Sequence, residues 1–258
     1  MKKYFSQSEW KKRIQISIAI SLSLSLLILQ PLHMSYAQEE QVSDTEQTEQ
    51  VEQVESSDTD SVEAEAEVLP QSPSLPFEQF IPYVQFLNYQ YQGDGTNFIT
   101  QDIIMEYTPD TNGVFQVAAF TENKAIAYVY QIRGDGLYEL AFFDHYDVVQ
   151  DLRYSELALD GNDSLVLSSN LSVGSTFYSG YQNESRRTVI NIIDYYSAGT
   201  MSYENVIVIA EDAVVNSDGS YQQYYIAPHY GIVSVERVYP DNNTIKVIEL
   251  IDTQGFLQ

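Results

Sequence analysis

Four stretches of this 258-residue chain place polar side chains at spacings that chemistry uses. Asp144-His145-x-Asp147, with Asp151 nearby, has the composition of a metal site or a catalytic acid–base pair. Asp160-Gly161-Asn162-Asp163-Ser164 offers oxygen atoms at alternate positions, like the start of a calcium loop. It has Leu165 where that loop needs glycine and Leu171 where it needs a bidentate glutamate. Arg133-Gly134-Asp135 spells a tripeptide that integrins recognise. All three read more plainly as turns or solvated acidic loops, because Gly, Asp and Asn serve backbone turns for their own reasons. No metal and no cofactor is therefore expected. The fourth stretch is Tyr221-Gln-Gln-Tyr224-Tyr225-Ile-Ala-Pro228-His229-Tyr230-Gly231. Tyrosines on an exposed sheet face stack on sugars and hydrogen-bond to them, so Tyr224, Tyr225 and Tyr230, with His229 as a polar contact, are the candidate ligand-binding residues. The same rings can instead fill a β core with their hydroxyls at the rim, and that is the stronger competitor.

The rest of the reactive inventory is thin. There is no cysteine, so a Cys–His nucleophile, a thiolate–metal site and a lipid anchor are all excluded, and export would not be exploited for disulfides. Beyond Ala37 only His145, His229, Lys124 and Lys246 join five arginines: Arg133, Arg153, Arg186, Arg187 and Arg237. The serine-hydrolase elbow Gly-x-Ser-x-Gly is absent. A carboxylate pair for glycoside hydrolysis stays open, since two acids from distant strands can meet. Glycosidase subsites often use Trp, however, and the one tryptophan, Trp10, lies in the leading segment.

That leading segment gives the chain an address. Lys2, Lys3, Lys11, Lys12 and Arg13 precede the uncharged run from Ile14 to Leu29, and Ser35-Tyr36-Ala37 puts small residues at a cleavage site. This is the layout of a secretory signal peptide over 1–37, with cleavage after Ala37. The run is shorter than the roughly 18–20 residues of a membrane span, so an uncut anchor is the lesser reading and no span is expected in the mature form. Losing five positive charges and one negative takes the chain from −25 to about −29. Such a surface repels nucleic acid and anionic wall polymers.

Residues 38–76 hold twelve acids and no base, which predicts a disordered, self-repelling linker stiffened at its end by Pro70, Pro73 and Pro76. From 77 to 258 the pattern predicts an all-β domain. Apolar faces alternate at Ile99, Ile103, Met105 and Tyr107; at Ile126, Tyr128, Tyr130 and Ile132; at Val189, Ile193 and Tyr195; at Val206 and Val208; and at Ile245, Val247 and Ile251. Asn112-Gly113 and Asp218-Gly219 read as two-residue hairpin turns with positive φ at both centres. Phe143–Leu159 is ambiguous and has room for a helical turn. About twelve strands at this spacing predict an antiparallel sandwich or a curved half-barrel. Pro82–Tyr89 aligns by pattern with Asn170–Phe177, so two tandem repeats, about 80–165 and 166–252, are expected.

Several segments resemble a family of Gram-positive extracytoplasmic proteins. Phe80-Ile-Pro82 through Tyr89-Gln-Tyr91-Gln-Gly93 is similar to its "Tyr-Phe-Pro-Leu … Gly … Trp-x-Tyr-x-Gly" opening. Leu171-Ser-Val-Gly174-Ser-Thr-Phe177, Arg187-Thr-Val-Ile190, Ala198-Gly-Thr200 with Glu204-Asn-Val-Ile207, and Tyr224-Tyr-Ile-Ala-Pro228-His-Tyr-Gly-Ile232-Val233 resemble its second half. Tyr89 and Phe177 stand at its Trp positions, and His229 stands where glycine is usual. The family has no assigned activity and no agreed catalytic residues, so the resemblance implies a location and a fold but no chemistry. The expectation is a secreted or cell-surface, non-enzymatic module with a binding or structural role, its partner a glycan or an apolar ligand. A carrier enclosing an apolar or lipid ligand in a curved sheet, and a carboxylate-based hydrolase, are the alternatives.

Overall fold

The computed structural model describes residues 71–96, 98–211 and 218–257. Residues 1–37, expected to be a signal peptide, and the acidic stretch as far as residue 70, expected to be a linker, lie outside the described residues, as do residues 212–217 of the connection containing Asp218-Gly219. No helix among the described residues is long and apolar enough to cross a membrane.

The domain is all-β. Its twelve strands are β1 (Phe86–Gly93), β2 (Gln101–Tyr107), β3 (Val114–Thr121), β4 (Ala125–Arg133), β5 (Gly136–Phe143), β6 (Ser164–Ser168), β7 (Thr176–Ser179), β8 (Ser185–Ala198), β9 (Met201–Glu211), β10 (Tyr221–Ala227), β11 (Gly231–Val238) and β12 (Thr244–Phe256). All belong to one antiparallel sheet in the order β6-β5-β4-β3-β2-β1-β12-β11-β10-β9-β8-β7. Read around the sheet, that order is simply cyclic. Strands β1 and β12 pair through Asn88 opposite Gln254 and Tyr91 opposite Leu250, which joins the two chain ends of the sheet. The sheet thus curls into a nearly closed barrel, the curved form of the sequence expectation.

Each strand turns one set of side chains into a shared core. Tyr89, Tyr91, Phe115, Leu137, Leu167, Ile207, Ile209 and Leu250 are at most 2 % exposed, so the centre is filled by aromatic and branched residues. The stretch ahead of β1 packs into it too. Phe80 ends a 3-10 turn (Phe77–Phe80), and with Ile81 it is buried in the same cluster. Gly231 lets this stretch approach: a Cβ there would sit 2.3 Å from Cα of Pro82, and its φ of +70° is one that side-chain-bearing residues avoid.

Bulges decide which alternating residues face inward. Opposite Gln90/Tyr91 and Val235/Glu236 the register of β12 slips, leaving Ile251 and Val247 as extra residues. A one-residue slip exchanges the two faces. Ile245 and Ile251, read with Val247 as one face, are therefore exposed at 50 % and 37 %, while Val247, Ile248 and Leu250 are buried. The Asn112-Gly113 expectation is also corrected. Only Gly113 has positive φ (+74°), and the turn closes from Gly113 N to Asp110 O at 2.9 Å. Asp110 takes over the pinning, its Oδ1 accepting from the amides of Asn112 at 2.8 Å and Val114 at 3.0 Å, so no left-handed Asn is needed.

Strands β6 and β7 lie side by side without a backbone ladder, and side chains close the seam between them. Gly180 N donates to Ser164 Oγ at 2.7 Å, Arg187 Nη1 donates to Val166 O at 2.8 Å, and Tyr181 Oη donates to Glu139 Oε1 at 2.7 Å. Arg187 also forks onto buried Glu211, with Nε and Nη2 at 2.9 and 2.8 Å from Oε2, and lies 4.8 Å from the ring of Tyr224. Burial pushes the Glu139 carboxyl up to about 7, against hydrogen bonds from Tyr181 and Tyr130 and the positive charge of Arg187. This carboxyl is held neutral in acid and charges near neutrality.

Candidate functional cleft on the outer face of strands 3 to 5

The β5–β6 connection, residues 144–163, folds back over the outward face of β3, β4 and β5. Its Tyr146, Leu152, Leu157 and Ala158 cover Val114, Ala118, Ala127, Val129 and Leu140. The helical turn allowed for in Phe143–Leu159 amounts to one bond, Leu159 N to Ser155 O at 3.1 Å, within a run of turns. Apolar cover alone would leave this connection free to slide. A polar staple fixes it instead.

Gln116, fully buried on β3, reaches outward under the connection. Its Oε1 accepts from Leu152 N at 2.8 Å, and its Nε2 donates toward Glu106 Oε2 at 2.8 Å, Gln150 O at 2.9 Å and Tyr146 Oη at 3.1 Å. Tyr146 Oη in turn donates to Glu106 Oε2 at 2.7 Å and accepts from Gln150 N at 2.9 Å. A buried amide satisfied at both ends is costly to dislodge. Residues 150–154 are thereby held at a defined height above the sheet.

Between this segment and the strand ends lies an open cleft of about 400 Å³. Asn112 comes from the β2–β3 turn, Gln131 and Arg133 from the end of β4, Arg153 and Tyr154 from the stapled segment, and Asp163 from its far end. Their polar groups form one chain. Tyr154 Oη donates to Asp110 and accepts from Asn112 Nδ2 at 3.1 Å; Gln131 Nε2 donates to Asn112 O at 3.1 Å. Arg133 Nε donates to Gln131 Oε1 at 2.8 Å, and Arg133 Nη2 meets Asp163 Oδ2 at 2.6 Å. Arg153 forks onto Asp151 through Nε at 3.0 Å and Nη2 at 2.8 Å. The Tyr154 hydroxyl holds the Asp110 carboxyl below its ordinary value, and Arg153 does the same for Asp151. Both acids stay charged through the neutral range.

What this arrangement can do chemically is present matched donor and acceptor pairs to a polar ligand. Asp163 is the one carboxylate lining the cleft, and it is bound by Arg133. Neither histidine nor lysine lines it.

Two motifs that read separately as turns thus meet here. Arg133-Gly134-Asp135 is the β4–β5 turn, with its guanidinium 4.1 Å from the Tyr138 ring and Asp135 accepting from Tyr138 Oη. Asp160–Asp163 contributes Gly161, Asn162 and Asp163, and Asp160 caps Asn162 N at 2.8 Å as in an ordinary turn. His145 has a side chain 83 % exposed, 4.0 Å from Asp144, and no group of three or more metal-binding side chains is found among the described residues.

The four tyrosine-segment candidates fall in separate places. Tyr224 is 5 % exposed and packs beside Arg187, with its hydroxyl donating to Gln222. Tyr225 stacks on Tyr196 at 4.3 Å and donates to Glu236 at 3.0 Å. His229 is exposed in the β10–β11 turn at φ +69°, with Nδ1 3.3 Å from Gln85 Oε1. Tyr230 lies between Phe86 at 5.3 Å and Tyr203 at 5.0 Å. No cleft residue belongs to this segment. Sequence reasoning passed over the cleft because pairing of strands brings its turns together. One signal was present: in a chain so short of cations, two of the five arginines after Ala37 line this one depression. Compared with known proteins, the chain matches no family model, no curated protein and no solved structure.

Proposed function

We propose that this is a secreted or cell-surface binding module without catalysis, and that the cleft under the β5–β6 connection is its ligand site. The observation that carries the reading is preorganisation. A buried Gln116 staple fixes the segment that brings Arg153 and Tyr154 to the cleft, and such supported polar sites are what specific binding needs. The single lining carboxylate, already bound to Arg133, supports binding over glycoside hydrolysis, which needs two acids flanking the bond. The tyrosine-filled core supports binding at the outer face over carriage of an apolar ligand inside the barrel. The layout of residues 1–37 supports export with cleavage after Ala37, and the cyclic run of six strands from β1 and six from β7 supports descent from two copies of one unit.

Mass spectrometry of the culture supernatant should find an N-terminus at Gln38; a full-length chain retained in the membrane would contradict the export reading. For the site, the exported protein is applied to arrays of glycans, wall fragments and lipids, alongside chromogenic glycosides. Binding lost in Asn112→Ala and Tyr154→Ala but kept in Tyr225→Ala is the expected pattern. Turnover that disappears when one acid is replaced would end the non-catalytic reading.

A further inference from the structure

We infer that the cleft selects a neutral, polyhydroxylated ligand, a short run of uncharged sugar units, and discriminates against acidic sugars; this rests on the cleft being the binding site.

Both guanidiniums at the cleft are already matched: Arg133 by Asp163 at 2.6 Å, and Arg153 by Asp151 at 2.8 Å with Asp110 at 3.9 Å. Two positive charges are answered by three negative ones, Asp163 in the lining and Asp151 and Asp110 beside it, in a chain whose net charge is −25. An incoming carboxylate or phosphate would have to compete with Asp163 or Asp151 for a guanidinium whose charge is already answered. It would also approach through a field of its own sign, which lowers both encounter rate and affinity.

A hydroxyl need not compete. It donates once and accepts twice, so it can bridge the donor and the acceptor of a pair that is already formed. The cleft sets such pairs in a row: Asn112 with Tyr154, Gln131 with Arg133, and Arg133 with Asp163. Neighbouring hydroxyls on a sugar ring have this bifunctional character at every position. Apolar surface completes the match. Tyr154 is 49 % exposed and Leu159 64 % exposed, giving the carbon face of a sugar something to cover. The volume of about 400 Å³ falls within the range of roughly 300–1,000 Å³ usual for small-ligand sites, enough for a short oligosaccharide.

The test is calorimetric titration of the exported protein with neutral tetrasaccharides of glucose, galactose and mannose, each beside the uronate tetrasaccharide of the same linkage and configuration. At least one neutral member should bind, with its uronate counterpart at least about tenfold weaker. Asp163→Asn and Asp151→Asn should each shrink that ratio, and so should raised salt, because the discrimination is electrostatic. Thermal unfolding of both variants establishes that they are folded. Uronates binding as tightly as neutral sugars, with binding still lost in Asn112→Ala, would overturn the ligand class and leave the site standing. Neutral binding untouched by Asn112→Ala and Arg133→Met, or no binding by any of the six, would overturn the site and the ligand class together.

Discussion

Arg187 and Arg133 each meet a carboxylate within 3 Å, at 2.8 and 2.6 Å, yet the two pairs do different work. Arg187 and Glu211 have side chains 9 % and 6 % exposed, at the seam that closes the barrel. Arg133 and Asp163 are 35 % and 26 % exposed, at the rim of the outer cleft. At the seam every charge has been taken out of water and must be answered within the protein. At the cleft, water still answers part of each charge, so the pair adds little stability and its remaining valences are free for a ligand. Similar distances therefore mark a buried structural joint in one place and, in the proposed function, a recognition surface in the other. Burial, not separation, sorts them.

The largest expected effect comes from breaking the seam on one side only. Arg187→Met strands Glu211 in the core and removes the donor to Val166 O, which should cost about 3–5 kcal/mol. Removing both charges, in Arg187→Met with Glu211→Met, should recover much of that loss in denaturant unfolding. A double variant no better than the single one would mean that the seam needs the ion pair itself.

Next comes Glu139. Its carboxyl titrates near 7 when folded, against an ordinary value of 4.5. The folded state therefore holds a proton that the unfolded state releases. This contribution to stability is full below about pH 4.5 and is lost as pH rises through about 7, amounting to about 3 kcal/mol. Asp110, Asp151 and Asp218, held below their ordinary value, act with the opposite sign and only below the usual carboxylate range. The window from 4.5 to 7 isolates Glu139 from them. Glu139→Gln should flatten the fall in melting temperature across that window, and an unchanged slope would mean another group titrates there.

The staple should matter less to stability than to shape. Gln116→Ala leaves Leu152 N without its acceptor and should cost about 1–3 kcal/mol. Hydrogen exchange at Leu152 should speed up while that of the β1–β12 ladder stays slow. Arg133→Ala, at the exposed pair, should change stability by no more than about 1 kcal/mol while abolishing ligand binding. A stability loss as large as that of Arg187→Met would erase the contrast between the two regions.

The strands were legible in the sequence because period-two alternation is a local property. Tyr128, Tyr130 and Ile132 do share the inward face of β4, and Ile103 and Met105 that of β2. Alternation failed in β12, where two bulges shift the phase and put Ile245 and Ile251 outside, and in β8, where a bulge at Ile190 leaves Tyr195 62 % exposed; a bulge is set by the partner strand, which local pattern does not reveal. The cleft was illegible for the same reason on a larger scale. Asn112, Arg133 and Asp163 belong to separate turns, and only the order β5-β4-β3-β2 puts those turns side by side. Gln116 gave no warning either, since a glutamine in a strand reads as solvent-facing until something is known to cover it.

That the stapled outer cleft receives the ligand is tested by amide chemical-shift mapping of the isotope-labelled protein with whichever neutral tetrasaccharide binds. The expected result is saturable shifts at Asn112, Gln131, Arg133, Tyr154 and Asp163, with Tyr224, Tyr225, His229 and Tyr230 unmoved. Shifts gathered on the 224–230 segment, with those five residues silent, would contradict it.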